Sequence, residues 1–191
     1  MQPSDLELAR AAMTGDHGAF HALVARHGPA LLRVALSLAS SPSDAEDICQ
    51  ETFAAAFRGL RNFDGRASIK TWLTSILMRR ASKVWKKERH ARRTISLHSG
   101  GAAMDRGRGN LNEALAAQAS VPSSIEAIDQ RMDVLEIIRS LAPEFRDAIV
   151  LREIEGLSYQ EIAQVLNIPR GTVESRLHRG RAELRRKLTG Y

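Results

Sequence analysis

The sequence predicts an all-α fold of two small helical domains joined by a flexible linker, and three observations lead there. Apolar residues recur at three- and four-residue steps through most of the chain. No alternating apolar–polar run pairs across an Asn-Gly or Asp-Gly turn, so hairpins are not expected. Residues 96–123 (SLHSGGAAMDRGRGNLNEALAAQASVPS) are rich in Gly, Ser and Ala and poor in large apolar side chains, which is linker composition. The expected organisation is a first domain over 5–95, the linker 96–123 and a second domain over 124–191.

The first long helix is expected from Ala19 to Ser40, burying Phe20, Leu23, Val24, Leu31, Leu32, Ala35 and Leu38. Gly28-Pro29 marks a place where it bends or splits, because proline lacks an amide hydrogen and crowds the preceding turn. The next helix carries Ala45, Ile48, Cys49, Thr52, Phe53, Ala56, Phe57 and Leu60 on one face. Ser43 or Asp44 is placed to cap its start, and Gly59 sits near its end. A third begins near Ser68 or Ile69 and runs through Trp72, Leu73, Ile76 and Leu77 into a basic tail. The stretch NLNEALAAQ is a candidate short helix within the linker.

In the second domain Ile125 to Leu141 reads as helix. Pro143 suits the first turn of the following helix, Glu144 to Glu155, and Gly156 closes it. Ser158 and Glu161 form a capping box that opens another helix with Ile162, Ala163 and Leu166 inward. Asn167 to Pro169 break it. Arg170 or Gly171 then starts a final helix with Val173, Leu177, Leu184 and Leu188 inward.

Of the 191 residues, 43% are hydrophobic, enough to build cores. The formal net charge of +6 favours an anionic partner, either nucleic acid or a membrane surface. A single cysteine, Cys49, excludes an internal disulfide and fits a reducing compartment; its place in an apolar row reads as core. The opening MQPSDLELAR carries acids and no apolar region, unlike a signal peptide. No run of about 18 apolar residues occurs, so neither a spanning helix nor direct membrane insertion is expected. A soluble, intracellular chain is expected. The histidines (His17, His21, His27, His90, His98 and His178) show no metal-ligand spacing with Cys49. Neither a glycine-rich phosphate loop before a lysine nor a nucleophile elbow is present. No enzyme, cofactor or metal is expected.

Three stretches carry chemistry. From Ser158 to Leu188 two helices and a tight turn suit a helix-turn-helix, whose second helix can enter the major groove. Its outward residues are Arg170, Thr172, Glu174, Ser175, Arg176, His178 and Arg179. Arginine pairs bidentately with guanine, glutamate accepts from cytosine, and Thr or Ser reaches bases or phosphates. The competing reading is a solvated basic helix ending a bundle. From Arg79 to Arg93 the cations Arg79, Arg80, Lys83, Lys86, Lys87, Arg89, Arg92 and Arg93 oppose Glu88 alone, with Phe63, Trp72 and Trp85 nearby. Aromatics beside cations suit single-stranded nucleic acid, although Trp72 by itself reads as core. Between Asp44 and Glu51 lie four acids, Asp44, Glu46, Asp47 and Glu51; with Gln50 and Arg58 they form a polar face. That face either docks a basic protein surface or keeps the helix solvated.

DAEDICQETFAAAFRGLRNFDGRASIKTWL resembles the second conserved region of sigma factors of the extracytoplasmic-function group, and LREIEGLSYQEIAQVLNIPRGTVESRLHRGRAELRRKL resembles their fourth. The resemblance implies a transcription initiation factor that binds core RNA polymerase and directs it to promoter DNA. By the resemblance, Asp44, Glu46, Asp47, Gln50, Glu51 and Arg58 meet the polymerase clamp. Phe63 to Thr71 resembles the loop that captures a flipped base of the melted minus-ten element, with Phe63, Arg66, Lys70, Trp72, Arg79, Arg80 and Lys83 on that DNA. The set Arg170, Thr172, Glu174, Ser175, Arg176, His178 and Arg179 reads the minus-thirty-five duplex. The resemblance also implies control by an anti-sigma factor. Two departures stand out: Arg79 and Lys83 occupy places where the family often has Asn and Asp, and Arg106 and Arg108 balance Asp105 and Glu113 in a linker that is often acidic. A second reading, from another class, is a dimeric helix-turn-helix regulator whose first domain senses a ligand; the acidic face and the basic aromatic helix argue against it.

Overall fold

A computed structural model describes residues 2–95 and 134–189, with side chains outside 86–95. Among the described residues all regular structure is helical, as the periodicity requires. The predicted linker, its candidate helix and residues 124–133 lie outside the described residues.

Helix α1 (Asp5–Met13) was not singled out by the apolar pattern, yet its start is written in the sequence. Ser4 and Glu7 form a capping box: the Glu7 carboxylate accepts from the Ser4 amide at 2.7 Å, and Ser4 Oγ accepts from the Glu7 amide at 3.3 Å. Asp5 ties α1 to helix α2 (His17–Leu38) through Arg26 at 2.6 Å and His27 at 2.9 Å. α2 is not split at Pro29. An interior proline costs about 3 kcal/mol. Leu31, Val34 and Ala35 beyond it are as deeply buried as Leu23 before it, so packing outweighs that cost.

Helix α3 (Pro42–Gly59) begins one turn's edge earlier than expected. Its cap is Ser41, not Ser43 or Asp44: Ser41 Oγ accepts from the Asp44 amide at 3.1 Å, and Pro42 takes the first helical position, where an amide hydrogen has no partner to lose. Ala45, Ile48, Cys49, Thr52 and Ala56 are buried as the stripe predicts. Phe57, expected inward, is 44% exposed. It sits about 100° round the helix from Ala56, at the margin of the stripe. There it stacks on His17 (ring centroids 5.6 Å apart) and meets the edge of Phe20 at 5.0 Å. A 3₁₀ turn, Leu60–Asn62, leads to the loop that feeds helix α4 (Ile69–Ile95). α4 begins at Ile69, where the sequence placed its start, and Ser68 precedes it with its hydroxyl accepting from the Thr71 amide at 3.0 Å.

The second half opens with helical residues 134–139, α5. Helix α6 (Pro143–Ile149) has Pro143 in its first turn and runs into a π-helical turn, Val150–Ile154, where a single regular helix was expected. Gly156 ends it at φ +75°, a conformation that glycine adopts without a steric penalty. Helix α7 (Tyr159–Leu166) and helix α8 (Arg170–Leu188) follow. Val173 and Leu177 are fully buried and Leu184 half-buried, but Leu188, expected inward, is 44% exposed. Beyond Gly180 no described residue of α8 is buried, because the helix has run past the elements it packs on. Gly180 marks the closest approach: a β-carbon there would lie 3.0 Å from Ile149 Cγ1 and 3.3 Å from Phe145 Cβ, on α6. The buried residues of both halves join into one continuous apolar cluster, with α4 against α7 and α2 against the π turn.

Candidate nucleic-acid interface

The turn between α7 and α8 is set by local chemistry. The Ser158–Glu161 capping box is present: Glu161 Oε2 accepts from the Ser158 amide at 2.9 Å. Those hydrogen bonds to the charged form hold the Glu161 carboxyl below its ordinary value. Asn167 ends α7 in the left-handed region (φ 52°, ψ 52°), where Asn is among the few side chains that sit readily. Pro169 precedes α8, which has no side-chain cap; the Thr172 and Val173 amides donate to the Pro169 carbonyl at 2.9 and 3.2 Å. An uncapped helix start beside cations suits a phosphate.

Buried Val173 and Leu177 seat α8 and thereby fix its outer face. Arg170, Glu174, Ser175, His178 and Arg179 are exposed, and Thr172 and Arg176 are half-buried. The structure thus brings the whole predicted minus-thirty-five set onto one helix. Two of its members pair with each other, Arg170 Nε to Glu174 Oε1 at 3.0 Å. Arg176 is close enough to help hold the Asp147 carboxylate charged, although burial dominates and pushes that carboxyl above its usual range. Arg181 anchors α8 from the side, donating to Glu153 at 2.8 Å.

On α3, Asp47, Gln50, Glu51 and Arg58 are exposed, and Asp44 and Glu46 half-buried. Asp44 accepts the Ser41 hydroxyl, so part of its charge is spent on the helix start. Glu51 accepts from Arg80 of α4 at 3.3 Å, which makes the acidic face and the basic helix neighbours. Cys49 lies beneath this face; burial, with the Glu46 charge, pushes its thiol up to about 12, so it is an inert core residue.

The predicted minus-ten set divides. Phe63 and Trp72 pack together, ring centroids 5.2 Å apart and tilted by 51°. Trp72, Arg79, Arg80 and Lys83 line an open groove of about 670 Å³, which Asp147, Val165 and Leu166 of the second half also line. Arg66 is apart from them, exposed on the loop and paired with Asp64 at 3.1 Å. Lys70 faces the second half: its Nζ donates to the Glu155 carbonyl at 2.6 Å and lies 3.4 Å from the Glu155 carboxylate. Trp85, flagged for stacking on bases, lies under the Arg146 guanidinium, 4.5 Å from its ring centroid.

Family models match both ends of this arrangement. Residues 23–91 match sigma-70 region 2, and residues 131–184 match sigma-70 region 4. The chain belongs to the sigma-70 family, in its extracytoplasmic-function group. Similar proteins include the ECF RNA polymerase sigma factor SigE of Mycolicibacterium smegmatis, 35% identical over 97% of this chain and 69% of that one. The RNA polymerase sigma-H factor of Pseudomonas aeruginosa is 32% identical over 98% of this chain and 95% of its own length. Among solved structures, CnrH in complex with the cytosolic domain of CnrY superposes with a TM-score of 0.73 at 28% identity, covering 98% and 99% of the two chains. The sigma factor RpoE in complex with the anti-sigma factor NepR, from Bartonella quintana, gives 0.66 at 25% identity, covering 89% and 96%.

Sequence reasoning missed the groups that link the halves of the sigma factor: Glu155, Asp147, Arg146 and Arg139, whose guanidinium donates to the Leu36 carbonyl at 2.7 Å. No spacing signals Glu155, Arg146 or Arg139, because Lys70, Trp85 and Leu36, which they meet, lie far away along the chain. Glu161 was read as a cap alone, yet it also accepts from Thr71 at 3.1 Å.

Proposed function

We propose that this sigma factor binds core RNA polymerase through the outer face of α3 and reads promoters with two separate surfaces. On α3, Asp47, Gln50, Glu51 and Arg58, with Asp44 and Glu46 at the edge, offer a mostly acidic surface to a basic helical clamp. On α8, Arg170, Thr172, Glu174, Ser175, Arg176, His178 and Arg179 enter the major groove of the minus-thirty-five element. Around α4, Phe63, Arg66, Lys70, Trp72, Arg79, Arg80 and Lys83 hold the melted minus-ten strand, cations along the phosphates and aromatics against the bases. The work is recognition and melting without covalent chemistry: unstacking a base costs a few kcal/mol, offset by capture of that base and by polymerase contacts. The chain then acts in the cytoplasm, where polymerase and DNA are; no described helix is long and apolar enough to cross a membrane. An anti-sigma factor holds it in check, a reading supported by the similar structure of RpoE in complex with the anti-sigma factor NepR.

The observation that carries this reading is the α7–α8 unit: a capped helix, an αL turn and a second helix with its cations outward. The test is transcription in vitro with core polymerase on a genomic fragment library, with and without the protein. Discrete new starts that require the protein are expected. Binding to a palindrome without polymerase, and no new starts, would replace this reading with a dimeric regulator.

A further inference from the structure

Two helices are assigned above to DNA, and they turn different chemistry toward it. Residues 69–87 of α4 include no Asp, Glu, Asn or Gln. Between 69 and 85 the exposed residues are Arg79, Ser82 and Lys83, with Arg80 half-buried. The other hydroxyls of this stretch are spent within the fold. Thr71 and Thr74 are buried, and Ser75 Oγ donates to the Trp72 carbonyl at 2.7 Å. Arg79 Nε donates to the Ser75 carbonyl at 3.1 Å, along its own helix, and Arg80 pairs with Glu51 at 3.3 Å. α8, by contrast, exposes Glu174, Ser175 and His178 beside Arg170 and Arg179.

An amide pairs with an adenine edge and a carboxylate with cytosine, whereas a cation on a phosphate meets the same group on every nucleotide. Residues 69–87 offer neither amide nor carboxylate. Arg79 and Lys83 stand four residues apart, on one side of the helix, where a pair of cations can follow a backbone. We propose that α4 grips the minus-ten strand through its phosphates with little regard to base, so that promoter choice by this sigma factor rests on α8. Arg79 and Lys83 set that balance. This rests on the minus-ten assignment of α4. Asn62, on the turn before the loop, is the amide that lines the same groove. A strand held by its phosphates is held in a salt-dependent way: each one neutralised adds about 0.7 to the slope of log affinity against log salt concentration.

The test uses the full chain with core polymerase and a labelled single strand carrying the minus-ten sequence from the transcription assay. A second set of strands changes each base in turn, and a matching set of duplexes does the same for the minus-thirty-five element. Fluorescence anisotropy reports affinity at several salt concentrations. Affinities within about threefold are expected across the strands, against a spread of about tenfold or more across the duplexes. Arg79→Ala and Lys83→Ala are each expected to weaken binding by the same factor on every strand and to lower the salt slope by about 0.7, while Lys83→Arg keeps the slope. A spread across the strands as wide as that across the duplexes overturns the proposal and leaves α4 on the minus-ten strand. A guanine preference lost in Arg79→Ala, or an adenine preference lost in Asn62→Ala, overturns it too and names the reader. If the alanine variants change neither affinity nor slope, α4 is not the minus-ten surface, and the proposal falls with that assignment.

Discussion

The two surfaces assigned to DNA differ in what they touch. α8 shows its cations to solvent, seated from behind by Val173 and Leu177. The start of α4 turns Lys70 and Thr71 to another part of its own chain, where they bind Glu155 and Glu161. A surface for duplex DNA can stand ready, because duplex is always available. A surface for single strand has no target until melting begins, so nothing is lost by covering it.

The contrast can be broken from either side. The largest effect is expected from Leu177→Ala, which empties a fully buried position under α8 and should destabilise the second half by about 2–5 kcal/mol. In urea titrations the transition of the second half should move to lower denaturant, and binding to a minus-thirty-five duplex should fall with it. Next comes the double reversal Asp47→Lys with Glu51→Lys. Setting like charges against a basic clamp should weaken core polymerase binding about tenfold or more, as read by competition against a labelled sigma factor, with duplex binding through α8 unchanged. Arg176→Ala should cost about 1–3 kcal/mol in duplex binding and relax preference at one base pair, if Arg176 meets a guanine. Unchanged preference across a base-substituted duplex set would remove it from the reading face. The smallest effect concerns the turn itself. Glu161 is held below its ordinary value of 4.5, so its stabilising cap is complete above that value and lost as pH falls through the lowered one. A carboxyl resonance titrating below the usual glutamate range is expected, moving up toward 4.5 in Ser158→Ala.

Helix existence and the α7–α8 turn were legible because their causes are local. Ser158 and Glu161 are three residues apart, Gly156 ends its helix alone, and the buried stripe of α3 repeats every three to four positions. Local causes also mislead at the margin. Ser43 and Asp44 are good caps, but Pro42 at the first helical position moves the cap to Ser41. Phe57 and Leu188 keep the apolar rhythm yet lie exposed, since rhythm cannot say where the partner element stops. Ser4 and Glu7 were readable and overlooked for want of a long apolar run behind them. The socket around Glu155 had no signal in the sequence: Lys70 lies 85 residues away, and either residue alone reads as a surface charge.

The pair between Arg170 and Glu174 has a consequence for fidelity. Each satisfies the other before any base pair arrives, so on the proposed reading α8 meets the duplex with two members of its reading face already paired. A base pair that offers both an acceptor for the arginine and a donor for the glutamate exchanges the bond evenly. One that offers half of this leaves a charged group stranded against the base edges. An exposed pair is worth only about 0–1 kcal/mol, so the threshold it sets is low. On the proposed reading, it disfavours a base pair that satisfies only one of the two groups.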